Sequence, residues 1–96
     1  MEELEFFCLN AVTDDYENLQ SIESLVSRES KRKIDRQAIG AVMNRLCNLG
    51  LVVAYHYDQN GCRFLPQNDG SLKNFDALWF YVSSAGREVL EARYGS

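Results

Sequence analysis

Hydrophobic residues in the first half of the chain recur every three or four positions, which is the spacing of amphipathic helices. The first set consists of Leu4, Phe7, Cys8 and Ala11. The second set, after the polar segment 13–18, consists of Leu19, Ile22, Leu25 and Val26. These sets predict helices at about residues 2–13 and 19–29, and Asn18 or Ser21 is available as the N-cap of the second.

A third helix is predicted at about residues 36–49. Its buried stripe would consist of Ile39, Val42, Met43, Leu46 and Leu49. Asp35 precedes this helix as a suitable N-cap, and Gly50 follows it, where a left-handed residue ends many helices. The segment 28–35 before it has no apolar periodicity and is therefore predicted to be a connection.

Beyond Gly50 the apolar pattern changes from helical to alternating. β-branched and aromatic residues predict a strand at about 51–58, and a second apolar run predicts another at about 78–82. Asn60-Gly61 is a strong signal for a two-residue hairpin turn, so that residues 62–65 are a candidate partner strand. A long polar segment at 58–77 would form the loop, or wing, between the strands.

A closing helix is predicted at about residues 84–94. Ser83 would cap it, and Val89 and Leu90 would be buried, with Tyr94 as a further candidate. The predicted order is three helices, a strand pair and a helix, which is a mainly α fold with a small β-hairpin. At 96 residues the chain fits a single domain, 1–96.

Composition excludes several classes of protein. With 46% hydrophobic and 25% charged residues, the chain falls in the range of folded globular proteins. No apolar segment approaches the roughly 20 residues of a membrane span, and the N-terminus is acidic where a secretory signal is basic. We therefore expect a cytoplasmic protein without a membrane partner. The three cysteines, Cys8, Cys47 and Cys62, form no CxxC pair and are interpreted as reduced thiols.

Charge is unevenly distributed along the chain. Residues 1–25 contain seven acidic residues and no lysine or arginine. Residues 28–36 contain five basic and two acidic residues, which leaves a local charge of +3 in a chain whose net charge is −4. Because salt screens each patch beyond about 10 Å, the position of the basic segment in the fold matters more than the net charge.

Two motifs carry a resemblance to a known family. They are LCNLGLV at residues 46–52, at the end of the third helix, and FYVSSAGREVL at 80–90, where a strand runs into the closing helix. With the three preceding helices, these motifs resemble small prokaryotic winged helix-turn-helix transcriptional regulators. The resemblance implies binding of duplex DNA, with the third helix in the major groove and the wing on the backbone or in the minor groove.

The candidate contacts follow from that placement. Lysines and arginines at the start of the third helix would neutralise phosphates, whereas the outer helix face would address base edges. The candidate nucleic-acid-binding residues are Lys31, Arg32, Lys33, Arg36, Gln37, Ala41, Asn44 and Arg45. Gly40 and Asn48 lie on the same predicted face. Solvation alone explains these residue types equally well, since connectors and outer helix faces are usually polar.

The alternative function is a non-catalytic protein-interaction module. The hairpin region is rich in aromatic residues, namely Tyr55, Tyr57, Phe64, Phe75, Trp79, Phe80 and Tyr81. Half of them are expected in the core of an alternating sheet, and those left exposed would suit a protein partner or a homodimer.

Residues that could perform catalysis are sparse. Asp14 and Asp15 are adjacent acids in a predicted loop, His56 is a lone histidine in a strand, and nothing near Cys62 explains an activated thiol. No phosphate-binding glycine loop or nucleophile motif is present in the sequence. We therefore expect a protein that is not an enzyme and that has no metal, cofactor or catalytic residue.

Overall fold

The computed structural model describes residues 1–66 and 77–94, which form four helices and four strands. In chain order these are α1 (Glu3–Ala11), β1 (Glu17–Asn18), α2 (Leu19–Ser30), α3 (Arg36–Asn48), β2 (Val52–Asp58), β3 (Arg63–Pro66), β4 (Trp79–Val82) and α4 (Ser84–Tyr94). All four predicted helices are confirmed to within two residues at each end. Residues 67–76 of the predicted wing, including Phe75, lie outside the described residues.

The strands form one antiparallel sheet in the order β1-β4-β2-β3. β3 is the predicted partner segment, displaced by one residue. β1 was not predicted, because a strand of two polar residues, Glu17 and Asn18, has no alternation that could reveal it; these residues pair with Phe80 and Trp79 of β4. The prediction of a mainly helical chain with a small hairpin is therefore corrected to a mixed fold of four helices and a four-stranded sheet in the described part of the chain.

The predicted N-caps are present in the structure. The side chain of Asn18 accepts a hydrogen bond from the amide of Ser21 at 2.8 Å, which makes Asn18 the cap of α2. The side chain of Asp35 accepts one from the amide of Ala38 at 2.8 Å at the start of α3. These side chains satisfy amides that an isolated helix start leaves without a partner.

The core lies between the helices and one face of the sheet. It contains Cys8, Leu9, Val12, Leu19, Ile22, Val26, Ile39, Val42, Met43, Leu46, Leu51, Val52, Ala54, Leu78, Phe80, Val82 and Leu90. The stripe predicted for α3 is therefore confirmed up to Leu46. Leu25 and Leu49, which were predicted to be buried, are exposed instead, as is Tyr94. Leu25 lies at the margin of the α2 face that contacts the core, whereas Leu49 is the C-cap residue beyond the last turn of α3. The described neighbours leave both side chains exposed.

The stripe predicted for α1 is partly wrong. Leu4, Phe7 and Ala11 are only partly buried, and the fully buried positions are Cys8, Leu9 and Val12. α1 contacts α2, α3 and α4, so that apolar residues are needed around most of its circumference. A search for a single stripe cannot identify the correct face of such a helix.

The two motifs meet in a contact that we call the motif junction, formed by Gly50, Leu51, Ser83 and Gly86. The amide of Ser83 donates to the carbonyl of Leu51 at 3.0 Å, and its hydroxyl donates to the carbonyl of Gly50 at 2.6 Å. The same hydroxyl accepts the amide of Gly86 at 3.1 Å and so caps α4, as predicted. Gly50 has a φ of 75°, a left-handed conformation that favours glycine.

Gly86 allows the closest approach in this junction. A β-carbon at this position would collide with the carbonyl oxygen of Leu51 and would lie 2.7 Å from Cγ2 of Val82. The absence of a side chain therefore lets α4 pack directly against the chain that leaves α3. Within residues 1–66 and 77–94, no helix is long and apolar enough to cross a lipid bilayer.

Candidate nucleic-acid interface

Lys31, Arg32 and Lys33, which we call the basic turn, lie in a five-residue connection between α2 and α3. Lys31 has a left-handed backbone with a φ of 59°, and the amide of Arg32 donates to the carbonyl of Ser27 at 3.2 Å, as in a Schellman helix end. The hydroxyl of Ser27 accepts the amide of Ile34 at 3.1 Å. The backbone of the basic turn is thus fixed, while its three side chains are exposed.

Basic side chains near the turn divide into two groups. Nε of Arg36 lies 3.3 Å from Oε2 of Glu23, and Nη1 of Arg45 lies 3.2 Å from Oε1 of Glu5. By contrast, the side chains of the basic turn make no hydrogen bond or ion pair with any described residue. Among the described residues near the turn, positive charge that is not in an ion pair therefore lies on the basic turn and on the exposed Arg28.

Glu5 is the buried acid that sequence reasoning missed. Its side chain is 6% exposed, and its Oε1 accepts hydrogen bonds from Arg45 and from the amide of Glu2, the latter at 3.2 Å. A buried carboxylate requires such partners, because desolvation opposes its charged form. The sequence contained a signal for the burial of Glu5, since this residue falls at helical spacing with Cys8 and Leu9.

Burial, together with the nearby charge of Glu5, raises the pKa of the Cys8 thiol to about 12.

The outer face of α3 has fewer candidates than the sequence predicted. Its exposed positions opposite the buried stripe, which we call the outer row, are Gln37, Ala41, Asn44 and Asn48. The side chains of the three amide residues make no hydrogen bond with the described residues. Gly40 was predicted on this face but is half-buried, with its Cβ direction 3.9 Å from Cδ1 of Leu19, and it faces α2.

Tyr16 lies at the centre of an aromatic cluster on the sheet. Its ring stacks on Phe64 with 4.1 Å between centroids, and it contacts Tyr55 at 4.9 Å and Tyr81 at 5.0 Å. Burial among these rings raises the pKa of Tyr55. A residue from the loop between α1 and β1 therefore covers part of this face of the sheet. Its contribution could not be inferred from local sequence.

The other aromatic residues divide between this cluster and the core. Trp79 contacts Phe64 at 5.4 Å and Tyr57 contacts it at 5.2 Å, whereas Phe80 is fully buried. Tyr57 is 45% exposed, the largest exposure among the described aromatic residues of the hairpin region. Tyr55 and Tyr57 lie two positions apart in β2 and share a face of the sheet. Each of these side chains on the exposed face of the sheet thus contacts at least one other aromatic ring.

Arg87, in the second motif, makes hydrogen bonds to residues outside its own helix. Its Nη2 donates to the carbonyl of Thr13 and to the hydroxyl of Tyr81, both at 2.8 Å. The guanidinium thereby links α4 to the end of α1 and to the aromatic cluster. In the wing, Arg63 is the exposed basic residue among positions 58–66.

The remaining candidates do not assemble into a site. No group of three or more histidine, cysteine or acidic residues that could hold a metal ion occurs in the described parts of the chain. Burial raises the pKa of Cys47 to about 11. Cys62 is exposed, and its thiol lies 3.6 Å from the carbonyl of Gln59. The carboxylate of Asp15 accepts the amide of Tyr16 at 2.7 Å, which is a local turn contact.

Comparison of the chain with known protein families, with curated proteins and with solved structures found no match.

Proposed function

We propose that this chain is a winged helix-turn-helix domain that binds duplex DNA and acts in transcription regulation. In this proposal α3 enters the major groove, and the basic turn contacts phosphates at the start of that helix. The order of elements supports the fold, because α1, α2 and α3 are followed by antiparallel strands and then by α4. The resemblance to winged-helix regulators implies three helices, a strand pair and a helix. The described order differs from it by β1, which lies between α1 and α2, and by a third strand after α3.

The observation that carries the function is the combination of a fixed backbone and free cations in the basic turn. Hydrogen bonds hold residues 31–34 in place, but the three side chains have no partner among the described residues. A turn whose backbone is already fixed loses less entropy when its side chains bind phosphates than a turn with a mobile backbone does. The turn also leads directly into the outer row, so that contacts with phosphate and contacts with bases would follow from one placement of α3.

A salt titration of binding to mixed-sequence duplex DNA tests this function. Log affinity falls linearly with log salt concentration, with a slope of about −0.9 for each neutralised phosphate. Replacing Lys31, Arg32 and Lys33 by glutamine should therefore reduce the magnitude of this negative slope by about 3 and weaken binding strongly at low salt. No binding by the wild-type protein at low salt would exclude the proposal.

A matched control separates local charge from net charge. Asn10→Asp, Ala85→Glu and Ala92→Glu together make the same change in net charge at exposed positions of α1 and α4. We expect this variant to retain most of the affinity and the wild-type slope. Equal losses in both variants would mean that net charge, rather than the basic turn, determines binding.

A protein-interaction module or homodimer is the second candidate, and the exposed ring of Tyr57 favours it. Aromatic residues are enriched at interface hot spots, and this ring lies at the edge of a rigid aromatic cluster. If this candidate is correct, sedimentation should show an assembly that Tyr57→Ser dissociates and that the basic-turn variant leaves intact. A protein that stays monomeric at high concentration would contradict the homodimer.

A further inference from the structure

The outer row of α3 presents amide and methyl groups without a charged side chain. Gln37, Asn44 and Asn48 each carry a carboxamide, which both donates and accepts hydrogen bonds. In the major groove adenine offers the complementary pair, an N6 donor and an N7 acceptor, and thymine offers a C5 methyl group that suits Ala41. The chemistry of the row therefore matches A·T base pairs.

Recognition of guanine usually requires arginine or lysine opposite O6 and N7. α3 contains two arginines, Arg36 and Arg45, and the structure places both beside the outer row rather than within it, each paired with a carboxylate. Withdrawal of Arg45 would leave the buried carboxylate of Glu5 without its cation, which is strongly unfavourable. Arg36 is held less firmly, because the Glu23 pair is exposed to solvent.

We infer that α3 selects A·T base pairs in the major groove, because Glu5 and Glu23 withhold its arginines and leave the carboxamides and Ala41 to contact the bases. The inference rests on the proposed function, since it concerns the same helix in the same groove. Glu5 and Glu23 act here as positioning residues for specificity. Their effect is to exclude guanine contacts rather than to add contacts of their own.

Two duplexes of equal length provide the first test, one built only of A·T pairs in mixed order and one only of G·C pairs. Mixed order avoids A-tracts, whose narrow minor groove attracts basic residues independently of base contacts. Fluorescence anisotropy with the full chain at low salt should show at least about tenfold tighter binding to the A·T duplex. Equal affinity for the two duplexes would overturn the inference and leave the proposed function intact.

A chemical substitution shows which groove carries the preference. In 7-deazaadenine the N7 acceptor of the major groove is lost, while base pairing and the minor-groove edge are retained. An A·T duplex containing it should lose most of the preference, and Asn44→Ala should produce a similar loss on the unmodified duplex. Asn10→Ala, which changes an exposed asparagine of α1, is the matched control and should bind as wild type. Unchanged binding of the modified duplex would overturn the inference.

Release of an arginine should reverse the selectivity. Glu23→Gln removes the exposed carboxylate that pairs with Arg36, and we expect the G·C duplex to gain several-fold in affinity relative to the A·T duplex. Glu88→Gln makes the same change of charge at an exposed position of α4 and should raise both affinities equally. Identical effects of the two variants would overturn the role of Glu23. Failure of the wild type to bind either duplex would instead exclude the proposed function, and the inference with it.

Discussion

The two ends of α3 differ in almost every physical respect. At its C-terminal end, Gly50 has a φ of 75° and enters the motif junction, where the described polar groups are paired and α4 packs without space for a β-carbon. The connection that leads into its N-terminal end begins at Lys31, the C-cap of α2, which has a similar left-handed backbone with a φ of 59°. The side chains of Lys31, Arg32 and Lys33 are exposed and have no partner among the described residues. One end is closed by internal packing and the other is open to a ligand.

This difference shows that the two motifs are used for internal packing rather than for a binding surface. The residues of LCNLGLV and SSAGR that make the resemblance specific are those that contact one another in the motif junction. Their side chains and backbone groups are used by the fold. The residues on which DNA binding would depend lie at the open end, where surface solvation selects the same residue types.

Replacement of Gly86 by alanine should produce the largest loss of stability. The added β-carbon would meet the carbonyl oxygen of Leu51 and Cγ2 of Val82, and the backbone atom cannot move without shifting the chain that leaves α3. We expect the free energy of unfolding to fall by about 3 kcal/mol, measured by urea denaturation.

The second helical glycine provides the control for this variant. A β-carbon at Gly40 would lie 3.9 Å from Cδ1 of Leu19, which is an ordinary van der Waals contact. Because alanine is a better helix former than glycine, Gly40→Ala should stabilise the protein by about 0.5–1 kcal/mol. If Gly86→Ala were as stable as Gly40→Ala, the closed character assigned to the motif junction would be wrong.

The two ion pairs of α3 should also differ in how much they stabilise the protein, by less than the two glycine variants differ. Arg45, in the last turn, pairs with Glu5, whose side chain is 6% exposed, whereas Arg36, in the first turn, pairs with Glu23, whose side chain is 30% exposed. Arg45→Met should lower the free energy of unfolding by about 2 kcal/mol, because a buried carboxylate loses its cation. Arg36→Met should cost about 0.5 kcal/mol or less. Equal losses in thermal or urea denaturation would contradict the assignment of Glu5 as a buried partner.

Elements with strong periodicity or specific end signals could be predicted from the sequence. α3 is the clearest case, since Asp35 marks its start, Gly50 marks its end and the residues between them repeat at helical spacing. β1 could not be predicted, because Glu17 and Asn18 become a strand only through pairing with β4, and local sequence does not contain that information.

The candidate site shows the same limit. Exposure of the basic turn was predictable from its lack of apolar periodicity. The pairing of Arg45 with Glu5 was not, because the two residues are 40 positions apart and meet only through the packing of α1 on α3. Sequence alone therefore counted Arg36 and Arg45 among the DNA contacts, although the structure gives each a carboxylate partner.

A further prediction concerns the connection that leads into the open end of α3. Lysine is an uncommon residue at a left-handed helix end, where glycine avoids the steric cost of a β-carbon. Lys31→Gly should therefore stabilise the protein by about 0.5–1 kcal/mol in urea denaturation. If the basic turn binds phosphate, the same variant should weaken DNA binding and reduce the magnitude of the salt slope by about 1.

Opposite changes in stability and binding would mean that Lys31 is retained for its charge at the expense of backbone energy. Gly50→Ala is the matched variant at the closed end, because Gly50 also has a left-handed backbone. An added β-carbon at this position would have no atom within 4 Å, so that the variant tests backbone strain alone. It should lose about 1 kcal/mol of stability from backbone strain and leave the salt slope unchanged. A gain of stability in Lys31→Gly without any change in DNA binding would instead show that the open end of α3 is a solvated connector, and the contrast between the two ends would then be one of packing alone.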